Sequence, residues 1–311
     1  MPQSPSAIVF AYHNPGVRCL SVLLAHGVKV PLVVTHTDNP DENIWFDSVA
    51  RLAAEHDIPV ITPDDPNAPG IVEQVRALQP EFLFSFYYRN MLKAPLLAIP
   101  KRGALNMHGS LLPKYRGRVP VNWAIIKGEK ETGATLHYMT EKPDNGAIVD
   151  QQAVPILPDD TALEVFHKVT CAAEIALNRC LPALLAGTAQ ALPQDLAKGA
   201  YFGGRRAEDG KIDWLLDAQA IHNLVRAVAP PYPGACTLLA GKPMRILKTR
   251  VETGRAPKSA HPALYCESGR CYADCAGGGV LRVLALELDG QAMSTEKLAA
   301  RLGTGPLPLG M

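Results

Sequence analysis

Alternation constrains this chain more than any other feature: over its first hundred residues, short apolar runs and amphipathic runs take turns. Ile8-Val9-Phe10-Ala11-Tyr12 reads as a strand, Gly16–His26 as a helix and Val30–Thr35 as a second strand. Asp47–His56, Ile71–Leu78 and Met91–Leu97 read as further helices. They are interleaved with strands at Ile58–Ile61 and Glu81–Phe86, and a last strand delivers Asn106 and His108. Such repetition predicts an α/β domain with a Rossmann-like, mostly parallel sheet covered by helices on both faces. In sheets of this kind a site forms beyond the carboxyl ends of the strands. The first turn, Tyr12-His13-Asn14-Pro15-Gly16, carries no G-x-G-x-x-G, which argues against an NAD-type dinucleotide grip.

Thr132–Met139 and Ala147–Val154 read as two more strands around the turn Glu141-Lys142-Pro143-Asp144-Asn145-Gly146, so Asp144 is expected on a loop. Asp159-Asp160-Thr161 offers caps for a long helix with Leu163, Phe166, Val169, Ala173 and Ala176 at intervals of three and four. Gln194–Arg206 lacks apolar periodicity and contains Gly199, Gly203 and Gly204, which marks a boundary. Beyond it come a helix near Asp217–Val228 and short strands at 235–239, 244–249, 263–266, 270–274 and 280–288. This texture predicts a small OB-like β-barrel. The expected domains are therefore 1–204, catalytic, and 205–311, the barrel.

With 311 residues, 47% of them hydrophobic, the chain can bury two cores. The formal net charge is only +1, and residues 205–311 carry 14 Lys and Arg against 10 Asp and Glu, too mild an excess to indicate a nucleic-acid partner. Met1–Ala7 lacks a signal-peptide pattern and no uninterrupted apolar run reaches transmembrane length, so a cytoplasmic protein without stable membrane insertion is expected. Seven scattered cysteines suit reduced thiols. Cys266, Cys271 and Cys275 cluster without the paired knuckles of a zinc site, so they are read as small residues on hairpin strands and no metal is expected.

The chemistry concentrates in Asn106-Met107-His108, the loop Pro113-Lys114-Tyr115-Arg116-Gly117-Arg118, and Asp144. Residues two apart on a strand share a face, so Asn106 and His108 are placed to work on one reacting group. An Asn amide donates to a developing oxyanion, a His moves protons near neutrality, and a nearby carboxylate supports the charged imidazole. That combination suits acyl transfer to an amine. Taken singly, each residue has a plainer explanation: strand-end Asn and His satisfy local hydrogen bonds, Pro-Asp-Asn-Gly turns favour Asp, and basic residues form solvated faces.

Order and spacing together resemble the folate-dependent formyltransferases, whose pattern is Asn-x-His, then Ser-Leu-Leu-Pro-x-[Tyr or Trp]-Arg-Gly, then a later Asp. Val9–His13, Thr35–Pro40, Ser48–Ala53 and Phe84–Arg89 are similar, more narrowly, to the subfamily that forms the formyltransferase half of bifunctional polymyxin-resistance proteins. Phe202-Gly203 with Arg205-Arg206, His222–Val228 and Pro233-Gly234-Ala235 extend the match into the second domain.

The resemblance implies 10-formyltetrahydrofolate as donor and UDP-4-amino-4-deoxy-L-arabinose as acceptor, in aminoarabinose modification of lipid A and polymyxin resistance. It assigns catalysis to Asn106, His108 and Asp144. Folate would be held by Asn90, Met91, Leu92, Arg118 and the loop Thr140, Glu141, Lys142, Pro143 and Asp144; the UDP-amino sugar would be held by Tyr115, Arg116 and Arg205. Asn90-Met91-Leu92 departs from the subfamily pattern, and backbone contacts there are expected to survive the change. The chain ends at Met311, so an NAD-dependent decarboxylase step is expected from a separate polypeptide. Methionyl-tRNA formyltransferase, another nucleotide-sugar N-formyltransferase, a formyltetrahydrofolate hydrolase and a folate-binding scaffold without turnover stand as alternatives.

Overall fold

The computed structural model describes residues 5–302 and 305–310. Residues 1–4, part of the Met1–Ala7 stretch read above for a signal-peptide pattern, lie outside this range. The chain divides into two compact units, 1–120 with 131–155 and 167–203, and 121–130 with 156–166 and 204–311. The second unit thus takes in two segments that a simple division at 204/205 gives to the first.

In the amino-terminal unit the elements are β1 (Ser6–Ala11), α1 (His13–Ala25), β2 (Lys29–Val34), α2 (Val49–Glu55), β3 (Val60–Ile61), α3 (Pro69–Ala77), β4 (Phe82–Phe86), α4 (Ala94–Leu97) and β5 (Ala104–His108). There follow β6 (Arg116–Gly117), α5 (Pro120–Ile126), β7 (Glu131–Tyr138), β8 (Ile148–Pro155), α6 (Ala162–Ala186) and β9 (Tyr201–Phe202); α5 and α6 each run across a unit boundary. The main sheet has the order β3-β2-β1-β4-β5-β7-β8, parallel as far as β5 and antiparallel at β7 and β8. β1 and β4 read as nearly unbroken apolar runs because both of their faces are covered, and Phe82, Phe84 and Phe86 stack at 5.7 and 5.5 Å between centroids.

Between β1 and β4 the winding reverses direction, so the ends of β1, β4 and β5 open onto one edge, the place expected for a site. Helix α1 begins at His13, three residues before the expected start, and His13 holds φ 67°. Gly16 lets α1 approach closely, since a Cβ there would meet Val49 Cγ2 at 3.0 Å and Ala11 Cβ at 3.2 Å.

Among the described residues α6 is the helix long and apolar enough to cross a membrane by length and composition, although Glu164, Lys168, Glu174 and Arg179 interrupt it. Here it is a packed helix. Val169, Ala172, Ala173, Ala176, Leu177 and Leu181 are buried, Arg18 of α1 pairs with Glu174, and Arg179 grips Asp150 of β8 with two contacts of 2.8 and 2.9 Å.

The carboxyl-terminal unit contains α7 (Ala218–Ala227), β10 (Ala235–Leu239), β11 (Lys242–Glu252), β12 (Ala263–Glu267), β13 (Arg270–Asp274), β14 (Val280–Leu288), β15 (Gln291–Met293), α8 (Thr295–Leu302) and β16 (Leu307–Pro308). Its antiparallel order is β10-β11-β14-β13-β12-β16, and a bridge between Leu239 and Leu309 brings the last segment back to the first, nearly closing a barrel. Ile221 and Val225 of α7 reach a core that includes Met244, Ile246, Leu264, Leu281 and Val283.

The opposite side of α7 is polar yet buried. Arg226 donates to Asn223 Oδ1 and to the carbonyls of Leu157 and Asp160, and His222 Nε2 lies 3.0 Å from the Pro158 carbonyl. These bonds draw the 156–166 segment into this unit. Cys266 and Cys271 face each other across the β12–β13 hairpin and form a disulfide, which corrects the expectation that all seven thiols are free; Cys275 is free and buried.

Candidate active site

β5 pairs with β4 on one side and with β7 on the other, and the β7 register sets Asn106 opposite His137 and His108 opposite Thr135. Cross-strand partners share a face, so one face gathers all four polar residues. His137, 1% exposed, is the member that the sequence reading missed. The alternation Thr135-x-His137, in a run already read as a strand, was the signal available for it.

Each imidazole has a defined protonation pattern. His108 Nε2 lies 2.8 Å from the Tyr115 carbonyl, an acceptor, so Nε2 carries hydrogen and Nδ1 is the basic nitrogen. Nδ1 in turn lies 3.6 Å from Asp144 Oδ1. His137 Nδ1 donates to the Tyr138 carbonyl at 2.8 Å, leaving Nε2 facing the Asn106 amide at 3.2 Å and Asp144 Oδ1 at 3.5 Å. In the neutral ring Nε2 accepts one N–H of Asn106 and the second N–H stays available for a reacting oxygen.

Asp144 occupies a left-handed turn with φ 55° and its carboxylate is mostly buried. Burial works to raise its pKa and is outweighed by the adjacent His108, by His137 and by the Gly117 N–H, which donates to Oδ2 at 2.8 Å. The carboxyl is held well below the usual carboxylate range. Two residues on, Gly146 admits no side chain, because a Cβ would lie 1.8 Å from the Tyr138 carbonyl oxygen.

The loop 112–118 is fixed by polar groups of β7 and β8. Thr135 Oγ1 donates to the Ser110 carbonyl and accepts from Leu112 N, and Gln151 Nε2 donates to the Leu112 carbonyl. Tyr115, expected to meet substrate, has its ring buried and stacked on Phe202 at 5.0 Å, so its contact with the site is the carbonyl that orients His108. Arg116, also expected to meet substrate, donates to Asn145 Oδ1 at 2.8 Å and to the Gly199 carbonyl at 3.3 Å, a bracing role that occupies its guanidinium. Arg118 is exposed, with its backbone N–H donated to the Phe202 carbonyl.

Of the residues expected to hold a pterin, Leu92 is a core residue beside Ile8 and Phe10, which leaves its backbone for a ligand. Asn90 Nδ2 donates to the Asp64 carbonyl and the Met91 carbonyl accepts from Asn67, while the Met91 side chain is exposed. Thr140, Glu141 and Lys142 are exposed and Pro143 is half-buried. Arg205 belongs to the carboxyl-terminal unit, where its guanidinium lies 4.9 Å over the Trp123 ring and donates to the Asp209 carbonyl. No group of three or more metal-ligating side chains occurs among the described residues.

Residues 22–181 match the formyl transferase family model and residues 205–303 match the model of the formyl transferase carboxyl-terminal domain. The chain belongs to the formyl transferase family and is a formyl-transferring enzyme. Its fold is similar to that of an N-formyltransferase from Helicobacter canadensis solved with folinic acid and dTDP-3-aminofucose, at TM-score 0.73 and 21% identity over 94% of this chain and all of that one. WlaRD, a sugar 3N-formyl transferase solved in the presence of dTDP and 5-N-formyl-THF, matches at TM-score 0.71 and 18% identity, covering 94% of this chain and 98% of that one. HypX from Aquifex aeolicus, solved with tetrahydrofolic acid, matches at TM-score 0.60 and 16% identity over 95% of this chain and 47% of the other.

Proposed function

We propose that this chain moves a formyl group from 10-formyltetrahydrofolate to the amine of a nucleotide-linked amino sugar, and specifically to UDP-4-amino-4-deoxy-L-arabinose. The observation that carries the reading is the cluster of buried His108 and His137 with partly buried Asn106 and Asp144 at the end of β5, with one Asn106 N–H and one His108 nitrogen left for chemistry. The acceptor amine attacks the formyl carbon, forming the new C–N bond, and the carbonyl electrons pass to oxygen. Asn106 donates to that oxyanion; removing one such donor typically costs about 3 kcal/mol. His108 takes the amine proton and returns it as the bond to the folate N10 breaks, yielding N-formyl sugar and tetrahydrofolate.

Asp144 remains ionised throughout and faces the imidazolium. The backbone of 90–92 and the 140–144 loop are the candidate pterin contacts, and Arg118, exposed beside the Asp144-bound Gly117, suits an anionic ligand group.

A dTDP-linked amino sugar is the second reading, favoured by the ligands of the two sugar formyltransferases whose fold this chain shares. The near-neutral charge weighs against initiator tRNA. The test is to incubate the protein with 10-formyltetrahydrofolate and UDP-4-amino-4-deoxy-L-arabinose, dTDP-3-amino sugars, charged initiator tRNA or water, and to identify the products by mass spectrometry. A formylated UDP sugar is the expected result; a formylated dTDP sugar or tRNA, or free formate alone, assigns the site to a different acceptor.

A further inference from the structure

The segment Gln194–Phe202, which reads as a connector in the sequence, is bonded to both loops that frame His108. Gln194 is its first member. One amide nitrogen, Nε2, donates to two backbone carbonyls at once, Asp144 at 2.9 Å and Gly146 at 2.7 Å. Farther along, the carbonyls of Gly199 and Leu196 accept from Arg116, and Tyr201–Phe202 pairs in parallel with Arg116–Gly117. Gly199 itself lies against the Pro113 carbonyl, with a Cβ excluded at 1.9 Å.

We infer that Gln194 is a positioning residue for Asp144, acting through the backbone of the 144–146 turn; the catalytic part of this inference rests on the role proposed for Asp144 above. Three features support it. The turn is conformationally demanding, with a non-glycine residue at positive φ followed by a glycine that has no room for a side chain, so it needs an external tie. The two carbonyls converge on one point, and a primary amide supplies two hydrogens there without adding charge. A Lys or Arg in that place would compete with His108 for the Asp144 carboxylate, which a neutral donor does not do. Finally, Gln194 Oε1 is buried without a hydrogen-bond partner, an unfavourable arrangement tolerated at a site where both amide hydrogens are committed.

The substitution that removes both bonds at nearly constant shape is Gln194→Met; Gln194→Asn, too short to reach both carbonyls, replaces it should the Met variant fail to fold. A misplacement on the scale of 1 Å costs up to about 100-fold in rate, and a loss of roughly 10- to 100-fold in kcat per folded molecule is expected. In an Asp144→Asn background the same change is expected to cost less than about twofold, because a group acting through Asp144 has nothing further to act on. The crystal structure of the variant is expected to show the Gly117–Asp144 bond broken.

A Gln194 variant with undiminished kcat, or a loss that multiplies on top of Asp144→Asn, overturns the inference. Should Asp144→Asn itself be fully active, the catalytic reading of Asp144 fails, and the crystal structure alone decides the geometry: an unmoved Asp144 turn contradicts the role of Gln194 and a displaced one supports it.

Discussion

Two buried histidines in this molecule each face an aspartate at nearly the same distance, His108 to Asp144 at 3.6 Å and His222 to Asp159 at 3.5 Å, and the proposal assigns catalysis only to the first. In the carboxyl-terminal unit His222 is saturated, with Nδ1 against Thr249 Oγ1 at 2.9 Å and Nε2 against the Pro158 carbonyl at 3.0 Å. Its aspartate is about half exposed. In the amino-terminal unit one His108 nitrogen is spoken for and the other faces a carboxylate that His108, His137 and the Gly117 N–H keep charged in spite of its burial. A His–Asp pair therefore defines a site only when one ring nitrogen remains open and the carboxylate is shielded from water.

The largest effects should fall on one side of that comparison. Asn106→Ala should lower kcat by about 100- to 1000-fold with little change in melting temperature, the loss expected for an oxyanion donor. Asp144→Asn should follow at roughly 100-fold. Because the Asp144 carboxyl is held low, any acidic limb of the rate profile above about pH 4 belongs to another group and should persist in this variant.

On the other side, Arg226→Met should leave the rate per folded molecule unchanged and lower stability by about 1–3 kcal/mol in chemical denaturation, since the Leu157 and Asp160 carbonyls and Asn223 lose their donor.

A smaller effect concerns pH. Burial, assisted by the nearby Arg89, lowers the pKa of His13 from 6.5 to about 3 and that of His36 to about 4. The unfolded chain takes up these protons near pH 6.5 while the folded chain resists, so their contribution to stability is complete above that value and declines as pH falls toward 4. His36→Phe should flatten the melting temperature between pH 6.5 and 4 relative to the parent.

Much of the fold was legible because its signals are local. β1 and β4 are apolar runs of strand length, α6 begins at the expected Asp-Asp-Thr cap with Thr161 and Glu164 bonded reciprocally, and Asp217 caps α7 through Ala220 N. That Asn106, His108 and Asp144 would lie together was legible through spacing and resemblance. The antiparallel turn of β7 was not, and with it went His137, because which strands become neighbours is settled by long-range packing. β6 and β9 are two residues each, too short for a periodic signal, yet they fix the loop beside His108. Tyr115 and Arg116 look like ligand-facing residues in sequence; whether an aromatic ring or a guanidinium meets solvent or protein depends on Phe202, Asn145 and Gly199, which lie far along the chain. The membership of 156–166 in the carboxyl-terminal unit is likewise decided by distant partners, His222 and Arg226.

The central claim is that His108, and not His222, carries the proton in formyl transfer. It is tested most directly by measuring kcat for formyl transfer and melting temperature side by side for His108→Ala and His222→Ala. The expected result is a rate loss of about 1000-fold or more with an unchanged melting temperature for His108→Ala, and a lowered melting temperature with an unchanged rate for His222→Ala. A His108→Ala enzyme that turns over at the parental rate would contradict the account.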